Sequence, residues 1–111
     1  MEQTQEIDTE DETRSPVEPT IGRIVHYYPT QHELIKYEAE ANNAHSTLPG
    51  LFIGKTPVAA MVTAVYPDDR LGLRLLLDAP VTPPHIPRAR YSAKAGIVGS
   101  WCWPPMVQRR A

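Results

Sequence analysis

Val58-Ala59-Ala60-Met61-Val62-Thr63-Ala64-Val65-Tyr66-Pro67-Asp68-Asp69-Arg70-Leu71-Gly72-Leu73-Arg74-Leu75-Leu76-Leu77 is the stretch that decides the fold. Val58 to Val65 is the longest apolar run of the chain, interrupted only by Thr63, and Pro57 and Pro67 bound the strand it predicts. Pro67-Asp68-Asp69-Arg70 has the residues of a tight turn, since proline presets its own φ and aspartate tolerates turn geometry. Leu71, Leu73, Leu75 and Leu77 then alternate with Gly72, Arg74 and Leu76. Side chains of a strand change face at every residue, so the two runs predict an antiparallel hairpin with one buried face.

Upstream, Ile21 to Tyr28 is rich in β-branched and aromatic residues and stops at Pro29, which predicts a first strand. The period then changes. Thr30-Gln31-His32-Glu33 has the spacing of a capping box, so a helix should start at Gln31. Leu34, Tyr37 and Ala41 form its narrow apolar stripe, and Asn42-Asn43 marks its end. Leu51-Phe52-Ile53 reads as a short strand before Gly54. Downstream, Pro80, Pro83, Pro84 and Pro87 exclude a central strand over residues 78 to 90 and predict a stiff connector or edge segment. A short strand should begin at Tyr91, and Ile97 to Trp103 should be the closing strand, with Trp101 and Trp103 on one face and Ser100 and Cys102 on the other. Both tryptophans are expected to anchor the core.

These elements predict a mainly β fold: a small antiparallel SH3-like barrel or strongly bent sheet with one short helix. Twelve prolines against six glycines in 111 residues agree with short strands and rigid connections. Residues 1–20 hold seven acids and a single base, Arg14, with few apolar side chains, and predict a flexible acidic arm, disordered in isolation. The domain proper is expected over residues 21–105, followed by an exposed basic tail over 106–111. The body beyond residue 20 has ten bases against six acids, a mild positive balance that the arm opposes.

A lone cysteine, Cys102, excludes an internal disulfide, and no apolar segment after Met1 suggests secretion. No run approaches the roughly 20 apolar residues of a membrane span. His26, His32, His45 and His85 lie in separate segments without a close ligand pair, so no metal is expected. Cys102 has no activating motif, the few acids of the body fall at turns, and Gly54-Lys55 lacks the glycine-rich lead of a phosphate loop. No catalytic residue and no cofactor is therefore expected. The one ligand-like constellation is Tyr91, Trp101 and Trp103 with Arg88 and Arg90, aromatic stacking surfaces beside cations, as nucleotide-type ligands require.

Gly22-Arg23-Ile24-Val25-His26-Tyr27-Tyr28-Pro29-Thr30-Gln31, Ala60 to Tyr66, Leu75-Leu76-Leu77-Asp78 and Gly99-Ser100-Trp101-Cys102-Trp103-Pro104-Pro105 together resemble a group of small tailed-bacteriophage and prophage proteins. The resemblance covers residues 21–105. Members of that group often carry histidine between the two tryptophans, where this chain has Cys102, and a polar stretch in place of the proline-rich segment before the closing block. The resemblance accordingly gives Cys102 no role. It implies phage origin, a small β fold and a place in the virion or the host cytoplasm. The expected function is that of a non-enzymatic interaction module that binds a protein partner or self-associates through aromatic and apolar strand surface. The alternative is a counter-defence protein that sequesters a nucleotide-derived signal; nucleic acid and membrane are not expected partners.

Overall fold

The computed structural model describes residues 14–48 and 50–105, so residues 1–13 of the expected arm and the expected tail over 106–111 lie outside the described residues. Among the described residues there are five strands, β1 (Ile24–Tyr27), β2 (Val58–Val65), β3 (Leu71–Leu75), β4 (His85–Tyr91) and β5 (Ser100–Cys102), with helix α1 (Gln31–Asn43) inserted after β1. They close into a barrel in chain order, β5 returning to pair with β1. All neighbours are antiparallel except β4 and β5. The predicted small SH3-like barrel is thus the fold of the chain.

The deciding hairpin forms as its alternation requires. Val58, Ala60 and Val62 of β2 and Leu71, Leu73 and Leu75 of β3 face inward, while Ala59, Met61 and Arg74 face out. Thr63 is the extra residue of a bulge, because Val62 pairs with Leu73 whereas Ala64 pairs with Gly72. Pro67–Asp69 forms a single 3-10 turn between the strands, with Asp68 and Asp69 both at positive φ. Val25 and Tyr27 of β1, Ile86 and Ala89 of β4, Trp101 of β5 and Tyr37 of α1 complete the core.

The capping box at the start of α1 is present in full: Glu33 N–H donates to Thr30 Oγ1 and Thr30 N–H donates to Glu33 Oε1. The Tyr27 hydroxyl also donates to the Glu33 carboxylate at 2.9 Å, which ties the first turn of α1 to β1. The helix covers the predicted residues, but the left-handed position after it falls on His45 rather than on an asparagine.

Four expectations are corrected. His85–Tyr91 is a strand with neighbours on both sides, although it contains Pro87. The proline is tolerated because Leu73 pairs with Ile86 while Leu71 pairs with Ala89, so a bulge at Pro87 and Arg88 absorbs the missing donor. Leu51 to Ile53 is not a strand: Lys55 N–H and Thr56 N–H both donate to the Phe52 carbonyl and close a turn. That turn meets the loop before β5 so closely that a Cβ on Gly96 would lie 2.6 Å from the Gly54 carbonyl oxygen. The closing strand is confined to Ser100–Cys102, since a turn at Val98 and Gly99, the latter at φ +78, precedes it and leaves Ile97 and Val98 exposed. Finally, part of the expected arm is docked, with Pro19 buried and Ser15 hydrogen-bonded to the barrel. Its scarcity of apolar side chains gave little hint of this, because the hydrogen bonds of Ser15 hold it together with the burial of Pro19.

Candidate functional site

Trp101, at 0% exposure, fills the barrel interior, and its indole N–H donates to the Asp69 carbonyl at 2.8 Å. The Tyr91 ring lies 4.9 Å from it, and Trp103 meets it edge-on at 5.5 Å. Trp103 sits past the end of β5 and is only partly buried. Its indole N–H donates to Ser15 Oγ at 2.7 Å, and Ser15 N–H donates in turn to the Asp69 carboxylate at 2.7 Å. The 67–69 turn and the N-terminal segment therefore close a polar circuit around the tryptophan pair. Arg23 places its guanidinium 5.5 Å from the Trp103 ring, and Pro16, Val17, Arg23, Trp103 and Pro104 line a depression of about 390 Å³.

Of the expected ligand set, the fold brings Tyr91, Trp101 and Trp103 together and leaves the two arginines elsewhere. Ala89 points inward, so Arg88 and Arg90 point outward by alternation, and Arg88 stacks on Tyr66 with its guanidinium 4.4 Å from the ring centre. Trp101 has no open face on which a base could stack. The cation that the aromatic set does possess, Arg23, sits in the block before β1. Composition near the tryptophans could not find it, because its proximity comes from the pairing of β1 with β5.

Cys102 lies directly opposite His26 across β1 and β5, a thiol placed beside an imidazole. The two share no hydrogen bond among the described residues. Burial pushes the Cys102 thiol up and pushes His26 down, so both groups are held neutral, which opposes a thiolate–imidazolium pair. Among the described residues no three of His, Cys, Asp and Glu converge on a metal-sized site, and no helix is long and apolar enough to cross a membrane.

Two grooves flank α1. One, of about 300 Å³, lies between the helix and the Pro83–Pro87 segment and carries mixed charge from Lys36 and Glu40, with His32, His85 and Tyr37 also in its wall. Burial and the nearby Glu33 push the Tyr37 phenol up to about 12, and the same causes raise Tyr27. Both phenols therefore release their protons later in the folded chain than in the unfolded one. The contribution of these two phenols to folding stability is expected to be flat below the ordinary tyrosine value of 10.0 and to fall above it, by at most roughly 1.4 kcal/mol per pH unit per phenol. Urea denaturation followed by far-UV circular dichroism between pH 8 and pH 12 checks this, and Tyr37→Phe should make the alkaline slope shallower.

The other groove, of about 260 Å³, has Leu34, Leu48 and Leu51 in its walls, with Gln31 and Glu38 at its margin. The same groove is lined by Phe52 at 67% exposure and Ile35 at 59%, the chain's only phenylalanine and an isoleucine off the buried stripe of α1. Ile35 carried a readable signal, an apolar residue on a helix face otherwise occupied by Gln31, His32, Lys36 and Glu38. Phe52 did not, because a strand reading of residues 51 to 53 gave it a face to bury. Compared with protein-family models, curated proteins and solved structures, the chain has no significant match.

Proposed function

We propose that this chain is a non-enzymatic bacteriophage interaction module, acting in the virion or in the host cytoplasm, that docks protein through the apolar groove beside α1. The observation that carries the reading is the exposure of Phe52, Ile35 and Ile53 around a groove already walled by leucines. Large apolar side chains gathered on the surface of so small a domain are costly to leave in water and mark interaction surfaces. The strand surface contributes less: Ile24 and Met61, cross-strand partners on β1 and β2, are each about 40% exposed. The phage assignment is supported by the resemblance of the blocks 22–31 and 99–105, which lie side by side as β1 and β5 and are joined by Tyr28 N–H to the Ser100 carbonyl and Gly99 N–H to the Tyr28 carbonyl. Native mass spectrometry of the untagged chain recovered from infected or lysogenic cells is expected to give a protein complex of fixed stoichiometry. A bare monomer, or a small molecule released on denaturation, overturns the reading.

A further inference from the structure

We propose that the chain's own acidic arm, residues 2–12, is the occupant of the cationic outer face of β3 and β4, a tethered strap that closes this face to other polyanions. The surface is separate from the groove beside α1, and the proposal does not depend on that groove.

The alternation of the two strands builds the face. Arg74 of β3 and His85, Arg88 and Arg90 of β4 are all exposed, and Arg74 pairs directly with His85. Strands β2, β3 and β4 contain no acid, so nothing on them neutralises the three guanidinium groups. Arg74 donates to the Pro83 carbonyl at 3.2 Å and Arg88 stacks on Tyr66, contacts that orient the cations and leave their charge in place. The arm is the complement: residues 1–13 carry six acids, Glu2, Glu6, Asp8, Glu10, Asp11 and Glu12, and no base. Where the arm starts decides what it can reach. Ser15 N–H donates to the Asp69 carboxylate, Ser15 Oγ accepts from the Trp103 indole, and Pro19 is buried, so the chain is pinned at the 67–69 turn. Tyr66, on which Arg88 stacks, is the residue before that turn, and Arg70 after it leads into β3. The arm thus leaves the barrel at the end of the hairpin where the basic face begins. Residues 2–13 extend to about 40 Å, twice the roughly 20 Å length of β4. Single exposed ion pairs are weak, but a short tether holds the acids at millimolar effective concentration and six of them act together. Arg23, beside Trp103, is one cation and offers no such row. A row of exposed arginines attracts nucleic acid and other polyanions without regard to sequence, and the tethered acids occupy that row first.

The test is backbone and arginine side-chain NMR of the full chain and of a variant whose six arm acids are neutral, Glu2→Gln, Glu6→Gln, Asp8→Asn, Glu10→Gln, Asp11→Asn and Glu12→Gln, with Ser15 kept. In low salt the two barrels are expected to differ at Arg74, Arg88, Arg90 and their neighbours on β3 and β4. The difference should vanish near 1 M salt, where the screening length falls to about 3 Å. Changing the three arginines to glutamine in the full chain should speed cleavage after Glu10 and Glu12 by a glutamyl endopeptidase several-fold. All three are exposed, so this variant should keep the fold. A fluorescent oligothymidylate should bind the neutral-arm variant about tenfold more tightly than the wild type in low salt. Coincident low-salt spectra, differences confined to the surroundings of Arg23, or cleavage indifferent to the arginines overturns the proposal. A spectral difference that grows with protein concentration assigns the face to the arm of another copy and overturns the tethered strap. Equal oligothymidylate binding by both proteins overturns the closing of the face.

Discussion

Trp101→Ala is expected to cost about 3–5 kcal/mol, the usual range for truncating a fully buried large aromatic, and so to remove most of the stability of a domain this small. Three losses coincide at the one position. The cavity opens in the barrel interior, where the indole has no exposed surface. The Asp69 carbonyl loses its donor at a turn already strained by two consecutive residues at positive φ. Tyr91 and Trp103 lose the ring against which both are packed. Urea denaturation measures the result, with Trp103→Ala as the internal comparison. Trp103 is only partly buried, so its truncation should cost less, about 1–2 kcal/mol. Equal losses at the two positions, or a Trp101→Ala variant within about 1 kcal/mol of wild type, would contradict an interior filled by Trp101.

The asymmetry between the tryptophans also marks how far the sequence could be read. Alternation put both on one face, which is correct, yet it could not say that the strand ends at Cys102 and leaves Trp103 on the rim. The hairpin of β2 and β3 was legible because both strands have one buried face, so hydrophobicity and geometry repeat with the same period. Helix α1 was legible from its capping box, a local device that needs no tertiary partner. Strand β4 was hidden because prolines argue against a ladder, and only its pairing partners reveal that Pro87 sits at a bulge. The same bulge misled the site reading: it sets which way Arg88 points, and Arg88 went to Tyr66. For the groove beside α1 the obstacle was different. Ile35 is visibly out of pattern, but the exposure of Phe52 depends on a turn closed by Thr56 and on two glycines far apart in sequence.

Deleting residues 1–18 is expected to lower stability by about 2 kcal/mol, or roughly 10 °C in melting temperature for a domain of this size. On composition alone the deletion should have had almost no effect. Two hydrogen bonds reverse that expectation. Without Ser15 the Trp103 indole N–H loses its acceptor, and the Asp69 carboxylate loses a backbone donor. The second loss propagates, because the same aspartate holds Trp101 through its carbonyl, so the N-terminal segment and the interior anchor share a residue. Ser15→Ala removes the hydroxyl but keeps the N–H, and should cost about half as much. Differential scanning calorimetry of the three proteins separates the contributions. A truncated chain that melts with wild type would mean that water replaces Ser15 at no cost. A stepwise loss from wild type through Ser15→Ala to the deletion would place the boundary of the folded domain at Ser15, not at Ile21, and make the 67–69 turn the joint between the segment and the barrel.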